Sequence, residues 1–310
     1  MSLLFAALAL PCLFWSKGPE TADELRRAGV EQICVTPQMT EAWKSVSGIS
    51  VRAADPAQRT KIPAPSVSFR SQVASATTAP WVSSNGWRFL RQPDGKFYYD
   101  AAPSTAPLAA AEAFMFGADA AIHVDSAGLA PLSGMLAFLR NLGGEDLQPL
   151  VNIGFIDDGS PASGEFMNLL VRRNLLFRVV SRPDPKLDLT VRLGTPDYPR
   201  ADAGNPSLLA EKVRAHLGDE KRLLRIYGSE IVVGRLMGNR EIARLYLINY
   251  GAARSSVHGV RIRVLGKDPK QKVEQYGSPG TDLQDVVLDA TGTEFTLPEL
   301  KAFAVISLTR

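Results

Sequence analysis

The stretch VNIGFIDDGSPASGEFMNLLVRRNLLFRVV, residues 151–180, decides the fold class of this chain. It begins with a short β-branched apolar run and passes through two aspartates and a Gly/Ser/Pro turn. An amphipathic segment follows, in which Phe166, Leu169 and Leu170 recur at helical spacing, and a second apolar run, LFRVV, closes it. A succession of strand, loop, helix and strand is the unit from which parallel α/β sheets are built.

The same alternation extends over most of residues 16–229. GPETADELRRAGV predicts a helix before the strand EQICV, and TPQMTEAWKSVSG predicts a helix before the strand ISVRA. Roughly eight strand candidates with intervening helices predict a compact (β/α)8-like barrel. An open flavodoxin-like parallel sheet uses the same elements and is the alternative.

Two parts of the chain depart from this alternation. Residues 56–80 are rich in Pro, Ser and Thr and predict loop with one strand, SVSFRS. After them, GWRFLR and KFYYD flank the turn QPDG, which predicts a hairpin or strand pair. Residues 230–310 are short β-rich runs broken by Gly, Asn and Pro, and they predict a small antiparallel β-sandwich.

The N-terminal residues 1–15, MSLLFAALALPCLFW, are continuously apolar. They predict either a secretory signal peptide, although no Lys or Arg precedes the run, or a buried first strand. The signal peptide implies a secreted or periplasmic protein, and the strand allows a cytoplasmic one. The run is too short to predict a membrane span. Cys12 and Cys34, the two cysteines of the sequence, allow one disulfide bridge and no clustered thiolate metal site.

Composition excludes several classes of function. Hydrophobic residues make up 45% of the 310 residues and charged residues 22%, as in an ordinary globular protein, and the net charge of +3 does not favour nucleic-acid binding. The sequence contains no P-loop, no G-x-G-x-x-G fingerprint and no G-x-S-x-G elbow. Three isolated histidines do not predict a metal site, and we expect no cofactor.

The C-terminal sequence carries a family resemblance. YLINYG followed by GVRIRV, then SPG and FTLPELKAFAVISL, resembles the terminal sandwiches of bacterial glycoside hydrolases, and an α/β domain before such a sandwich resembles their layout. The resemblance implies a protein that acts on or binds an oligo- or polysaccharide. One hypothesis is hydrolysis of glycosidic bonds by paired carboxylates; the other is a noncatalytic carbohydrate-binding or assembly protein with a degenerate glycosidase architecture.

Three strand candidates end in aspartate: KFYYD at Asp100, AAIHVD at Asp125, and IGFIDD at Asp157 and Asp158. In a barrel, functional groups lie where strands enter their C-terminal loops, and glycosidic cleavage needs two carboxyl groups. Asp100 and Asp157 are therefore predicted as the acid and the nucleophile or base. Asp158 is a further catalytic candidate, although adjacent strand residues point to opposite faces. Asp125 is a substrate-binding candidate, and Asp125 and Asp158 are alternatively helix caps.

Aromatic and polar residues between these strands are candidates for sugar binding. Trp81, Asn85, Trp87 and Arg88 surround an Asn-Gly turn, and Tyr99 follows soon after. Indole rings pair with the apolar faces of sugars, while amide and guanidinium groups bind hydroxyls or carboxylates. The alternative is that the tryptophans are packing residues.

Two glutamates complete the candidates. Glu230, in YGSE at the predicted domain junction, is a further catalytic candidate that faces the barrel mouth. Glu165 follows SPASG at the start of a helix, where a capping role is favoured over catalysis.

Overall fold

The computed structural model describes residues 10–68, 80–142 and 147–309. The chain divides into two compact units, the first formed by residues 1–66 and 92–145 and the second by residues 67–91 and 146–310. The domain boundary predicted near residue 229 therefore falls inside the second unit. Within the described residues, no helix is both long and apolar enough to cross a membrane.

The regular elements follow one another along the chain. The strands are β1 (Cys12–Phe14), β2 (Gln32–Val35), β3 (Ser50–Ala53), β4 (Thr60–Ile62), β5 (Ser66–Ser68), β6 (Trp81–Ser83), β7 (Lys96–Asp100), β8 (Asp119–His123), β9 (Gln148–Pro149), β10 (Ile153–Ile156), β11 (Phe177–Val179), β12 (Leu189–Arg192), β13 (Leu224–Tyr227), β14 (Val232–Gly238), β15 (Ile242–Asn249), β16 (Val257–Leu265), β17 (Lys270–Gln275), β18 (Gln284–Leu288), β19 (Gly292–Leu300) and β20 (Phe303–Thr309). The helices are α1 (Ala22–Arg27), α2 (Thr40–Lys44), α3 (Gly86–Arg91), α4 (Ala106–Phe116), α5 (Leu129–Asn141), α6 (Pro161–Arg172) and α7 (Pro206–Leu217).

A six-stranded sheet forms the first unit, in the order β3-β2-β1-β8-β7-β4. All of its neighbouring strands are parallel. The predicted fold class, a parallel α/β domain with an antiparallel sandwich, is confirmed. In the described residues β3 and β4 are the edges of this sheet, and β1 lies between β2 and β8, which is consistent with a barrel-like domain.

The N-terminal strand β1 lies in the middle of this sheet, between β2 and β8. Its residues Cys12, Leu13 and Phe14 are buried, as the core-strand alternative predicted for this part of the apolar run. Cys12 and Cys34 form a disulfide bridge between β1 and β2. Residues 1–9, the rest of the predicted signal peptide, lie outside the described residues.

The decisive stretch folds as a strand and helix of the second unit. β10 is the middle strand of a three-stranded parallel sheet, β11-β10-β12. Ser160 caps α6, because its hydroxyl oxygen accepts a hydrogen bond from the Ser163 amide at 3.2 Å. Phe166 of α6 packs edge to face on Phe155 of β10, with ring centroids 5.8 Å apart.

The rest of the second unit contains the predicted antiparallel sandwich. Its sheets have the orders β13-β16-β19-β18 and β17-β20-β15-β14-β9. Buried aliphatic and aromatic side chains from both sheets, including Leu245, Ile262, Phe295 and Ile306, form one core. RLLRIYG lies within residues 16–229, which were predicted as α/β, but its strand β13 pairs antiparallel with β16 of the sandwich.

The α/β and sandwich parts of the second unit are joined by hydrogen bonds at Asn174, which follows α6. Its backbone has φ of 54°, a left-handed conformation that Asn tolerates better than most residues. Its side chain accepts a hydrogen bond from the Gly234 amide at 2.7 Å and donates one to the Val232 carbonyl at 3.4 Å. These contacts link the end of α6 to β14 within the second unit.

The hairpin predicted for residues 86–100 is wrong, because GWRFLR forms the helix α3. The Ser84 hydroxyl accepts a hydrogen bond from the Gly86 amide at 3.0 Å, and the Asn85 carbonyl accepts one from the Arg88 amide at 2.8 Å. Local capping by Ser84 and Asn85, together with burial of Phe89, outweighs the strand preference of the aromatic residues.

Candidate functional site

Asp157 lies at the exit of β10, as predicted, and it pairs with an arginine. Its Oδ1 accepts a hydrogen bond from Arg91 Nη2 at 2.7 Å and another from the Gly159 amide at 3.1 Å. Only 13% of the Asp157 side chain and 18% of the Arg91 side chain are exposed. Arg91, at the end of α3, also donates to the Ser160 carbonyl at 3.1 Å. Asp157 thus ties α3 to the loop before α6.

Asp158, the next residue, organises the start of α6. Its carboxylate accepts hydrogen bonds from the Ser160 amide at 3.0 Å and the Ser163 hydroxyl at 2.6 Å, and it forms an ion pair with Arg200. These bonds, those of Ser160 and Ser163 foremost, hold the pKa of Asp158 well below its usual range. The arrangement agrees with the capping alternative for this residue.

Asp100 ends β7 in the first unit, and it faces two cationic or titratable neighbours. His123 Nδ1 lies 3.0 Å from Asp100 Oδ1, and Lys61 Nζ lies 3.5 Å from Oδ2. The hydrogen bond with His123 is the main cause that lowers the pKa of Asp100, and the Lys61 charge adds to it. Asp100 and Asp157 belong to different compact units, so their role as a catalytic pair stays a prediction.

Two other candidates have structural partners within the first unit. Asp125 accepts a hydrogen bond from the Gly128 amide at 3.1 Å and so caps the turn before α5. Tyr99 is completely buried, and its hydroxyl donates to Glu112 Oε2 at 2.7 Å inside the core. These contacts favour capping for Asp125 and packing for Tyr99 over contact with a sugar.

Both predicted sugar-binding tryptophans carry arginine side chains on their rings. Arg172 Cζ lies 3.8 Å from the ring centroid of Trp81, while Arg88 Cζ and Arg91 Cζ lie 4.4 Å and 5.3 Å from the Trp87 ring. Guanidinium groups at these distances make favourable cation–π contacts. They cover ring surface on which a sugar would stack.

The polar residues beside these tryptophans are also engaged. Asn85 is buried, and its side-chain oxygen accepts a hydrogen bond from Arg88 Nη1 at 3.1 Å. The helix α6 approaches closely, because a Cβ added at Gly164 would lie 2.8 Å from a ring carbon of Trp87. The Trp87 region is therefore a packed contact between α3 and α6.

Glu165 lies on α6 near this contact, and the capping role predicted for it is wrong. Ser160 is the N-cap of α6, so the capping-box position three residues later is Ser163. Burial raises the pKa of Glu165, although the charges of Arg172 and Arg88 and a hydrogen bond with Asn168 oppose the shift. Within the described part of the chain, Glu165 Oε1 is buried without a hydrogen-bond partner.

Glu230 lies between β13 and β14 and lines a pocket of the second unit. Its Oε1 is 3.8 Å from Arg173 Nη1, and half of its side chain is exposed. Its environment is arginine-rich, and no second carboxylate is among the described residues that line the pocket. The lining of this pocket thus offers no partner carboxylate for the catalytic role predicted for Glu230, which stays a prediction.

Several residues of these clusters carried no signal in the sequence. Arg91 was missed because its contacts depend on α3 being a helix that packs beside α6, and Arg172 was missed because its contact with Trp81 joins α6 to β6. Arg214 and Arg222, which line the Glu230 pocket, come from separate elements and no local motif joins them. The described residues contain no group of three His, Cys, Asp or Glu side chains that could hold a metal ion.

This chain has a glycoside-hydrolase-like fold, as comparison with solved structures shows. It is similar to α-L-fucosidase isoenzyme 2 from Paenibacillus thiaminolyticus, with a TM-score of 0.54 and 8% identity over 72% of this chain and 62% of that chain. At this identity the likeness concerns the fold alone. The chain thus spans less than two thirds of that enzyme.

Two β-galactosidase structures are also similar, with TM-scores too low to carry weight. One, from Rahnella sp. R3, has a TM-score of 0.42 and 8% identity over 90% of this chain and 63% of that chain. The other, a GH42 β-galactosidase from G. stearothermophilus, has a TM-score of 0.42 and 7% identity over 86% of this chain and 65% of that chain. No protein-family model matches the sequence, and a search of curated proteins finds no match.

Proposed function

We propose that this protein binds carbohydrate and does not hydrolyse it, on a glycoside-hydrolase-like fold. The state of the predicted catalytic carboxylates is the observation that carries this proposal. A glycosidase keeps one carboxyl group protonated beside the scissile bond, which requires a raised pKa. Hydrogen bonds instead lower the pKa of Asp100 and Asp158, and Asp157 is paired with Arg91. These carboxylates are better suited to holding loops than to donating protons.

Hydrolysis is the second candidate function, and Glu165 is the observation that favours it. Burial raises the pKa of this carboxyl group, as a general acid requires, and it lies near the charges of Arg88 and Arg172. Arg88 and Arg91 both contact Trp87, and Arg91 binds Asp157. In this alternative Glu165 is the acid and Asp157 the second carboxylate.

A panel of chromogenic glycosides and immobilised glycans separates the two candidates. For the noncatalytic proposal, we expect saturable glycan binding and no turnover by the wild type. Turnover by the wild type that Glu165→Gln or Asp157→Asn abolishes, with an unchanged circular dichroism spectrum, would establish the hydrolase. Asp100→Asn tests the pair predicted from the sequence in the same assay. Asp23→Asn, at an exposed carboxylate of α1, is the matched control.

We also propose that the protein works in an oxidising compartment, secreted or periplasmic. The bridge between Cys12 and Cys34 supports this, because structural disulfides persist mainly outside the reducing cytosol. Alkylation of free thiols in intact producing cells, followed by mass measurement, tests it. We expect both cysteines to escape alkylation unless a reductant is added, and two labelled thiols in its absence would overturn the proposal.

A further inference from the structure

The Glu230 pocket of the second unit has the size and the lining of a ligand site. Its volume is about 470 Å³. Pockets of roughly 300–1,000 Å³ hold small ligands, so one sugar unit with its substituents fits. The pocket is formed where the end of α6, the helix α7 and the segment from β13 to β14 meet. Three separate elements therefore contribute to one concave surface.

This pocket carries an excess of positive charge. Four arginines line it, against the single carboxylate of Glu230: Arg172, Arg173, Arg214 and Arg222. Glu230 pairs with Arg173, at 3.8 Å. Asp219, outside the lining, is shared between Arg222 at 3.3 Å and Arg225 at 3.5 Å. Among the described residues that line the pocket, the guanidinium groups therefore outnumber the carboxylates.

Arg222 is a largely buried arginine of this cluster. Only 14% of its side chain is exposed, and its Nε is buried with no hydrogen-bond partner among the described residues. Burial lowers the pKa of Arg222, and repulsion from Arg225 and Arg214 lowers it further, while Asp219 acts in the opposite direction. An oxyanion placed between Arg214 and Arg222 would relieve the repulsion between their charges.

Helix ends explain only part of this cluster. Arg172 and Arg173 end α6, and Arg214 lies in the last turn of α7, where cations interact favourably with the helix dipole. Arg222 follows a short 3-10 turn, Asp219–Lys221, and gains no such interaction from an α-helix. The helix dipoles therefore account for three of the arginines and leave the buried one unexplained.

The lining of this pocket also includes an exposed aromatic side chain, Tyr227. Tyr227 lines the pocket and is 44% exposed, which is unusual for a large apolar side chain in this protein. An aromatic ring next to guanidinium groups offers a sugar both of the contacts it needs. The ring covers an apolar face of the sugar, and the guanidinium groups hold an acidic substituent in a planar, bidentate manner.

We propose that this pocket binds an acidic saccharide, with its carboxylate or sulfate group held by Arg214 and Arg222 and one sugar face on Tyr227. The saccharide part of this proposal rests on the carbohydrate-binding function proposed above. The pocket proposal goes beyond that function because it specifies that the ligand is negatively charged and names the residues that bind it.

Titration calorimetry on the full chain tests the pocket with three probes: an oligogalacturonide, its neutral methyl ester and inorganic sulfate. We expect the acidic form to bind about tenfold or more tightly than the methyl ester, because a charged hydrogen bond is lost on esterification. Added salt should weaken the binding of the acidic form and leave the binding of the methyl ester unchanged. Arg214→Gln should lower the affinity for the acidic form by about tenfold, and Arg214→Lys should lower it less.

Two further variants guard against misfolding and unspecific charge effects. Tyr227→Ala changes an exposed side chain and should weaken both saccharide forms about equally. Arg240→Gln removes an exposed arginine outside the pocket and should leave binding unchanged. If the acid and the ester bound equally and Arg214→Gln changed neither affinity, the pocket would not be the site of an acidic saccharide. The carbohydrate-binding function would remain intact. Binding of sulfate without either saccharide would overturn the saccharide ligand of this pocket, while the glycan panel tests the proposed function separately.

Discussion

Asp100 and Asp157 occupy the same kind of position in the sequence, at the end of an apolar parallel strand, but their surroundings differ. Asp100 is 53% exposed, and its partners are His123, in register on the neighbouring strand, and Lys61. Asp157 is 13% exposed and binds Arg91, which belongs to a helix 66 residues earlier in the chain. The strand pattern places a carboxylate at a sheet edge, and side chains from elsewhere decide what that carboxylate can do.

This difference predicts that the two aspartates contribute unequally to stability. A buried carboxylate that loses its cation keeps the cost of desolvation, whereas an exposed carboxylate is rehydrated and screened. Substitutions that break the pair of Asp157 and Arg91 should therefore lower the free energy of unfolding strongly. Substitutions at Asp100 should lower it only slightly.

The largest effect is expected for Arg91→Met, which leaves Asp157 buried without its cation. We expect a loss of about 3 kcal/mol in the free energy of unfolding, measured by urea denaturation with circular dichroism. The double variant Arg91→Met/Asp157→Leu should recover much of this loss, because it removes both charges and keeps the volume apolar.

An exposed ion pair supplies the matched control for that measurement. Arg140 pairs with Glu31, whose side chain is 70% exposed, so Glu31→Gln should cost less than about 0.5 kcal/mol. If Arg91→Met cost no more than Glu31→Gln, the pair of Arg91 and Asp157 would have no special structural role. Asp157 would then be available for chemistry, and the comparison with Asp100 would fail.

A smaller effect is expected for Asp158→Ala, which removes the acceptor of the Ser160 amide and the Ser163 hydroxyl. We expect a loss of about 1–2 kcal/mol, as for a helix cap with one further hydrogen bond. Asp158→Asn keeps an acceptor oxygen and should lose less. Equal losses in the two variants would assign the effect to the ion pair with Arg200 instead of the capping bonds.

The same variant predicts a change in acid stability. The pKa of Asp158 is lower in the folded protein than its unfolded value near pH 4, so its contribution is complete above about pH 4. It is lost as the pH falls through the folded value. Asp158→Ala should therefore make the stability curve flatter below about pH 4 than in the wild type. If the stability curve below about pH 4 were the same in Asp158→Ala and the wild type, the hydrogen bonds of the loop would not lower the pKa of Asp158.

Much of the fold could be predicted because local patterns determined it. The strands and helices around residues 151–180 follow from apolar periodicity, and the Gly-punctuated runs after residue 230 indicated a sandwich. The choice between a closed and an open parallel sheet could not be made, since strand order depends on contacts between distant segments. The helix α3 was missed because two polar residues, Ser84 and Asn85, cap an aromatic segment that favours a strand on propensity alone.

The candidate site was predicted less well than the fold. The sequence correctly marked the exits of β7 and β10 as places for carboxylates, but it gave no information about Arg91 and Arg200, which bind Asp157 and Asp158. Arg214 and Arg222 line one pocket only because α7 packs beside the 3-10 turn Asp219–Lys221, which Arg222 follows. Local spacing predicts the direction of a side chain, and tertiary packing supplies its partners.

The smallest effect is expected for Asp100→Asn, the other half of the comparison. Its partner Lys61 is 71% exposed, and solvent screens such pairs, so we expect a loss below about 0.5 kcal/mol despite the lowered pKa of Asp100. Lys61→Met should be equally mild, and the two substitutions should be nearly additive in a double-variant cycle. A loss close to that of Arg91→Met would mean that the hydrogen bond between Asp100 and His123 holds β7 to β8. In that case exposure alone would not separate a structural aspartate from one that is available for binding.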